Sequence, residues 1–157
     1  MAIFEAKEIF KFAIRIEENG EKFYRFAGKL TEDDEIKEMF NFLANEEVKH
    51  KDIFTDLLSD ITKDVSFDNY SEEYLDYLRC YVDNVIFTEE QLKIQEKEVD
   101  NVASAIKFAM QRELDSILYY HEVVKFVADN KKALIEKIIE EERKHYAKLS
   151  DMKANLG

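Results

Sequence analysis

Proline is absent from these 157 residues, and glycine occurs only at Gly20, Gly28 and Gly157. Closely spaced tight turns draw on both residue types, so a few long helices are expected rather than a β-sandwich. Cysteine is equally scarce. Cys80 alone leaves no internal disulfide, no zinc ribbon and no Cys-x-x-Cys redox or iron site. In the stretch LRCYV it reads as a small buried apolar residue. Basic side chains are also short in number, 23 against 35 acidic ones, for a net charge of -12 and a pI near 4.8. With no basic stripe to neutralise phosphates, neither nucleic acid nor an anionic membrane is expected as a partner. Long apolar runs are missing too. The opening MAIFEAKEIF meets an acid at Glu5, and no stretch approaches membrane-spanning length, so neither a signal peptide nor a membrane contact is expected, and a cytoplasmic location follows.

Charged residues (37%) and hydrophobic ones (46%) instead alternate with helical spacing, and the length suits a single domain, 1–157, able to bury its own core. A first helix is expected from about Ile3 to Leu30, with Phe10, Ala13, Ile14, Glu17, Gly20, Glu21, Tyr24 and Ala27 along one side. Thr31 and Asp34 resemble a capping box for a second helix from about Asp33 to Asp60. A third is expected from about Asp100 to Ala128, and Asp129 or Asn130 should lead into a fourth from about Lys131 to Ala154. Both joins are short, so each pair forms an antiparallel hairpin. Between the hairpins, residues 61–99 break the pattern. They predict a partly helical crossover, with short helices after Ser71 and Thr88. Its aromatics, Phe67, Tyr70, Tyr74, Tyr77, Tyr81 and Phe87, either pin the crossover to the bundle or form a contact between copies of the chain. The expected architecture is therefore all-α: a ferritin-like antiparallel four-helix bundle of two hairpins joined by one long crossover.

Two short stretches stand out against this frame. EEVKH ends at His50 and EERKH at His145, and each places a carboxylate three residues before an imidazole, on one helix face. Both pairs interrupt apolar seams. Ile36, Phe40, Leu43, Glu47, His50, Phe54 and Leu57 follow at steps of four and three, as do Ile135, Ile138, Glu142, His145, Leu149 and Met152. A buried carboxylate needs a cation beside it, and metal is the cation this pattern predicts.

The seams belong to an internal repeat. Ala13, Glu17, Gly20, Phe23 and Tyr24 recur as Ala109, Glu113, Ser116, Tyr119 and Tyr120, offset by 96, while Glu47 and His50 recur as Glu142 and His145, offset by 95. Each half thus offers one isolated Glu and one Glu-x-x-His, the ligand complement of a dinuclear carboxylate centre. Glu17, Glu47, His50, Glu113, Glu142 and His145 are the candidate metal ligands. Four carboxylates with two neutral imidazoles cancel two divalent cations, and oxidising both ions adds two charges, which suits a two-electron step coupled to oxygen chemistry. Oxygen-rich ligation with one imidazole per ion favours iron; manganese comes behind it and zinc is a possible substitute.

Other polar residues divide less sharply. Tyr24 and Tyr120 lie seven residues after Glu17 and Glu113 on the same faces, so they are either core aromatics or hydroxyl donors that hold the ligands. Glu18, Glu46 and Glu141 are expected to point away from the seams, and His121 to lie at the surface.

The stretches AIRIEENGEKFYRFA, NEEVKH, AMQRELDSILYY and EEERKH together resemble the ferritin-like domain of rubrerythrins, in the branch that lacks a rubredoxin domain. The resemblance implies the same six residues as iron ligands, with Tyr24 and Tyr120 supporting them. It further implies reduction of hydrogen peroxide, or reaction with O2, at a diiron centre. With one cysteine in the chain, electrons would come from a separate donor such as a rubredoxin, and a homodimer is expected. Peroxidase members carry one more Glu a turn after the third-helix ligand, where this chain has Ser116. Peroxidase, ferroxidase and oxidase chemistry therefore stay open at this point, as do iron sequestration of the ferritin type and a structural bundle that a metal merely stabilises.

Overall fold

Long amphipathic helices carry most of the chain in the computed structural model, which describes residues 6–61 and 69–156. Helix α1 spans Ala6–Gly28, α2 Asp34–Ser59, α3 Glu72–Val85, α4 Glu89–Glu98, α5 Val102–Val123 and α6 Lys132–Asn155. Two 3-10 turns, Val124–Phe126 and Asp129–Lys131, join the last two helices. No strand occurs among the described residues. α1 packs on α2 and α5 on α6, and the two hairpins meet through α1 with α5 and α2 with α6. This is the ferritin-like four-helix bundle.

Local signals set most helix starts, with three departures from the sequence reading. Asp33, not Thr31, caps α2: its Oδ1 accepts from the backbone N–H of Glu35 and Ile36 at 3.0 and 3.2 Å, while Thr31 Oγ1 accepts from Asp33 N–H one step earlier. The third helix stops at Val123 rather than near Ala128. Its backbone tightens into the 3-10 turn at Val124–Phe126 and becomes extended at Val127, which buries Phe126. Neither Asp129 nor Asn130 caps α6; Lys131 stands at that position without a side-chain bond, and Asp129 pairs with the Lys132 ammonium at 3.1 Å.

The crossover is helical where expected. Ser71 accepts from Tyr74 N–H to start α3, and Thr88 with Gln91 forms a capping box for α4. Several of its aromatics pin it to the bundle: Tyr81 donates to the Asp115 carbonyl and stacks on Tyr119, Tyr74 donates to Glu122, and Phe87 stacks on Phe108. Tyr77 is exposed, and Phe67 lies outside the described residues. Cys80 is exposed, contrary to the sequence expectation. α3 buries Leu78, Tyr81 and Val82, and residue 80 falls on the other side of that stripe.

The buried apolar side chains form two clusters, not one. Phe10, Ala13, Phe54, Tyr120 and Ile138 belong to the first; Tyr24, Phe40, Leu43, Ala109 and Leu149 belong to the second. Each of the four long helices contributes to both. Between its two contributions each carries the polar residues of the seams, so a polar layer lies across the bundle with apolar packing above and below it.

Candidate metal centre

All six candidate ligands lie in that layer and are buried, from 0% exposed for Glu17 and His50 to 3% for Glu47 and His145. They converge in two overlapping groups. Glu17, Glu47, His50 and Glu142 offer ligand atoms within 4.8 Å of one another, as do Glu47, Glu113, Glu142 and His145. Glu47 and Glu142 belong to both groups, so each could bridge two ions. Glu17 with His50 and Glu113 with His145 would complete one side each.

Hydrogen bonding inside the layer is incomplete in a telling way. Glu17 Oε2, His50 Nδ1, Glu113 Oε2, Glu142 Oε1 and His145 Nδ1 are buried without a hydrogen-bond partner. Such groups are costly unless something pairs with them. Both imidazoles turn Nδ1 inward: His50 Nδ1 lies 2.9 Å from Glu142 Oε1 and 3.6 Å from Glu17 Oε2, and His145 Nδ1 lies 3.4 Å from Glu142 Oε1. Buried carboxylate and imidazole atoms that have only one another for neighbours fit a pair of metal ions.

Protons show the same strain. Burial, then the neighbouring carboxylates Glu142 and Glu17, hold the Glu47 carboxyl well above the ordinary carboxylate range; burial and Glu142 do the same for Glu113. Burial would push His50 down, but the carboxylates of Glu142 and Glu17 outweigh it, and the imidazole is pushed up to about 12. Glu142 answers in the opposite sense: burial would raise it, and the two imidazoles outweigh burial and lower it.

Two tyrosines brace the layer crosswise. Tyr24 on α1 donates to Glu113 Oε1 on α5 at 2.5 Å, and Tyr120 on α5 donates to Glu17 Oε1 on α1. Burial, then the adjacent glutamates, raises both phenols well above their usual range, so they stay protonated donors. The pairing of 24 with 113 and 17 with 120 also requires α1 and α5 to run antiparallel. Both residues are buried among the apolar clusters and also donate to a candidate ligand, so the two sequence readings describe the same side chains.

One residue was missed. Glu141 is half-buried, and its Oε2 lies 2.6 Å from His50 Nε2, on the far side of the ring from the centre. Glu46, its counterpart in the repeat, is also half-buried but accepts from Lys49 Nζ at 2.9 Å. The doubled acid in EEVKH and EERKH was the available signal. Glu18 makes only a loose contact with Lys51, at 3.8 Å, and His121 is exposed, both as expected. Ser116 is buried, and its hydroxyl donates to the Arg112 carbonyl at 2.9 Å. Gly20, the corresponding residue of the other half, sits so close to Glu47 that a Cβ would lie 2.9 Å from its carboxyl carbon.

Solved structures share this fold. A structure from Thermotoga maritima, provisionally described as a ferritin-like diiron-carboxylate protein, superimposes with a TM-score of 0.75 at 25% identity, over 100% of this chain and 99% of its own. A hypothetical protein from Pyrococcus furiosus gives 0.67 at 25% identity, over 96% and 89%. No curated protein matches the sequence. The rubrerythrin family model matches residues 8–153, which spans both hairpins and all six converging residues: the chain belongs to the rubrerythrin family.

Proposed function

We propose that the chain is a dinuclear iron-binding oxidoreductase that reacts with hydrogen peroxide or O2 and takes its electrons from a separate donor. The observation that carries this reading is the convergence of six buried carboxylate and imidazole side chains into two groups with Glu47 and Glu142 in common. The Thermotoga protein's description as a diiron-carboxylate protein supports it. Two iron ions held by these residues would supply two electrons together, the number that takes peroxide to water or O2 to peroxide.

The protein's own part is to hold charge and protons in place. Glu47 and Glu142 span the two groups, and Glu17, His50, Glu113 and His145 close them. Tyr24 and Tyr120 each fix one oxygen of an outer glutamate and leave its second oxygen facing the centre. Glu141 on His50 Nε2 sets which ring nitrogen faces inward and makes that nitrogen a better ligand. The apolar clusters on either side keep water away. One cysteine cannot build a four-thiolate iron site, so these residues hold no electron donor of the rubredoxin type.

Anaerobic loading with Fe(II) tests the proposal. Two irons per chain should bind, a diferric absorption band should develop with peroxide or O2, and Glu142→Ala should lose both. A chain that binds no iron would sink the proposal. One that binds iron without oxidation would leave only a metal-stabilised bundle. Light scattering on the same sample separates storage from turnover, because a mineral needs an enclosed cage and a homodimer cannot provide one.

A further inference from the structure

The metal-facing layer has an apolar annex. A cavity of about 50 Å3 lies between α1, α5 and the α3–α4 crossover. Its wall is built largely from Phe23, Tyr81, Ile86, Phe87, Leu92 and Phe108. At its inner end it reaches Glu47 and Glu113, one from each half of the centre. It exists because the side chains one turn beyond Glu17 and Glu113 are small, Gly20 on α1 and Ser116 on α5. Half-buried Asn19, Phe87 and Arg112 mark its outer end.

Most of the polar groups that line it are engaged, and the buried atoms without a hydrogen bond, Arg112 Nε, Asp115 Oδ2 and Glu113 Oε2, belong to its charged residues and not to its apolar wall. Asn19 Nδ2 donates to the Phe87 carbonyl at 2.8 Å, Ser116 to the Arg112 carbonyl, Tyr24 to Glu113 and Tyr81 to the Asp115 carbonyl. Arg112 pairs with Asp115, donates from Nη1 to the Val85 carbonyl at 2.8 Å, and lies 4.5 Å over the Phe87 ring; only its Nε lacks a partner. By the same measure a single water needs roughly 10–15 Å3, so the cavity has room for about three or four waters, or for one small apolar molecule. A void whose wall is mostly apolar and aromatic favours the apolar occupant.

We propose that this cavity is a docking site for dioxygen, and that O2 rather than hydrogen peroxide is the oxidant that reaches the centre by this route. The inference rests on the diiron reading above and narrows its substrate. Both oxidants balance: two ferrous ions give two electrons, which with two protons take O2 to hydrogen peroxide, or hydrogen peroxide to two waters. Access is what distinguishes them. Hydrogen peroxide must surrender its hydrogen bonds to water on entering and finds few free partners along a wall that is mostly apolar, whereas O2 has none to lose.

Xenon, an apolar probe of similar size, reports on the cavity without any metal. Crystals of the metal-free protein under xenon pressure should show one atom among Gly20, Phe108 and Ser116. Val85→Phe and, from the α4 side, Leu92→Phe fill the cavity without touching the six-residue centre. In either variant that folds, xenon should be excluded, and stopped-flow oxidation of the diferrous protein by O2 should slow at least tenfold while oxidation by hydrogen peroxide changes less than twofold. A wild-type protein that loads iron but excludes xenon overturns the cavity assignment alone. Equal slowing of the two oxidants, or no slowing of O2, overturns the preference. A protein that admits xenon but binds no iron overturns the diiron reading, and the assignment of dioxygen falls with it.

Discussion

The Tyr24 hydroxyl, on the first helix, holds Glu113 Oε1, on the fifth, at 2.5 Å. The repeat returns the same bond with its ends exchanged, Tyr120 to Glu17. Each half of the molecule therefore orients the isolated glutamate of the other. Removing either hydroxyl, as Tyr24→Phe or Tyr120→Phe, should weaken one of two metal-binding steps by about 10–100-fold and leave the other nearly unchanged. Calorimetric titration with Co(II) or Fe(II) under argon resolves the two steps.

Glu141 makes the two halves unequal. His50 has a carboxylate on Nε2, whereas the equivalent Glu46 is taken up by Lys49 and the His145 ring meets the edge of Phe42 instead. Glu141→Gln should weaken metal binding at the His50 side by about 10–100-fold, and Glu46→Gln should have a smaller effect. Similar losses in both variants would show that the asymmetry does not matter for binding.

Gly20→Ala opposes two known effects. In an open helix interior the change adds about 1 kcal/mol of stability, but here the new Cβ would lie 2.9 Å from Glu47 Cδ. Displacing a carboxylate common to both ligand groups should cost metal at both steps, and overpacking of this kind destabilises by about 1–3 kcal/mol. Urea unfolding of the metal-free variant, with metal titration alongside, separates the two losses.

Proton binding predicts opposite pH slopes for the stability of the metal-free protein and for its affinity for metal. Glu47 and Glu113 have raised folded pKa values, so their contribution to stability is present at low pH and falls away as pH rises above the ordinary carboxylate range. His50, raised to about 12, contributes fully below its unfolded value of about 6.5 and progressively less above it. Glu142 is lowered, so its contribution is already constant above about pH 5. Between pH 6 and 9 the metal-free protein should therefore lose stability, by no more than ~1.4 kcal/mol per pH unit for each group. Metal replaces those protons, so its binding should release protons and strengthen with pH. Urea midpoints at several pH values, and calorimetry in buffers of different ionisation enthalpy, check each slope.

Chelation should lower the melting temperature, because bound ions would compensate four buried carboxylates that otherwise face one another and two imidazoles. At a free metal concentration of 100 Kd, binding adds about 2.7 kcal/mol for one site. An unchanged melting curve after complete metal removal would remove the structural case for the centre.

Much of this was legible in the chain. A 3.6-residue period fixes which way a side chain points relative to its own helix, so Glu47 and His50 could be assigned to one face with Phe40 and Leu57, and the repeat then supplied Glu142 and His145. The absence of proline and the spacing of the seams were enough for two hairpins and a crossover. The same periodicity should have placed Cys80 outside, since it is out of step with Leu78, Tyr81 and Val82; treating it by residue type alone was the error. Thr31 lost the cap to Asp33 because the choice between neighbouring oxygens depends on backbone angles.

What the sequence determined, then, is local direction: six ligand-type side chains on inward faces, twice over, with small residues one turn beyond two of them. What only the tertiary structure decided is who meets whom. Tyr24 reaches Glu113 and not Glu17, Glu141 reaches His50 while Glu46 does not reach His145, and the space beside Gly20 and Ser116 stays open. Those outcomes depend on the register and rotation of one helix against another, which the packing of every apolar contact sets together and which no single helix encodes.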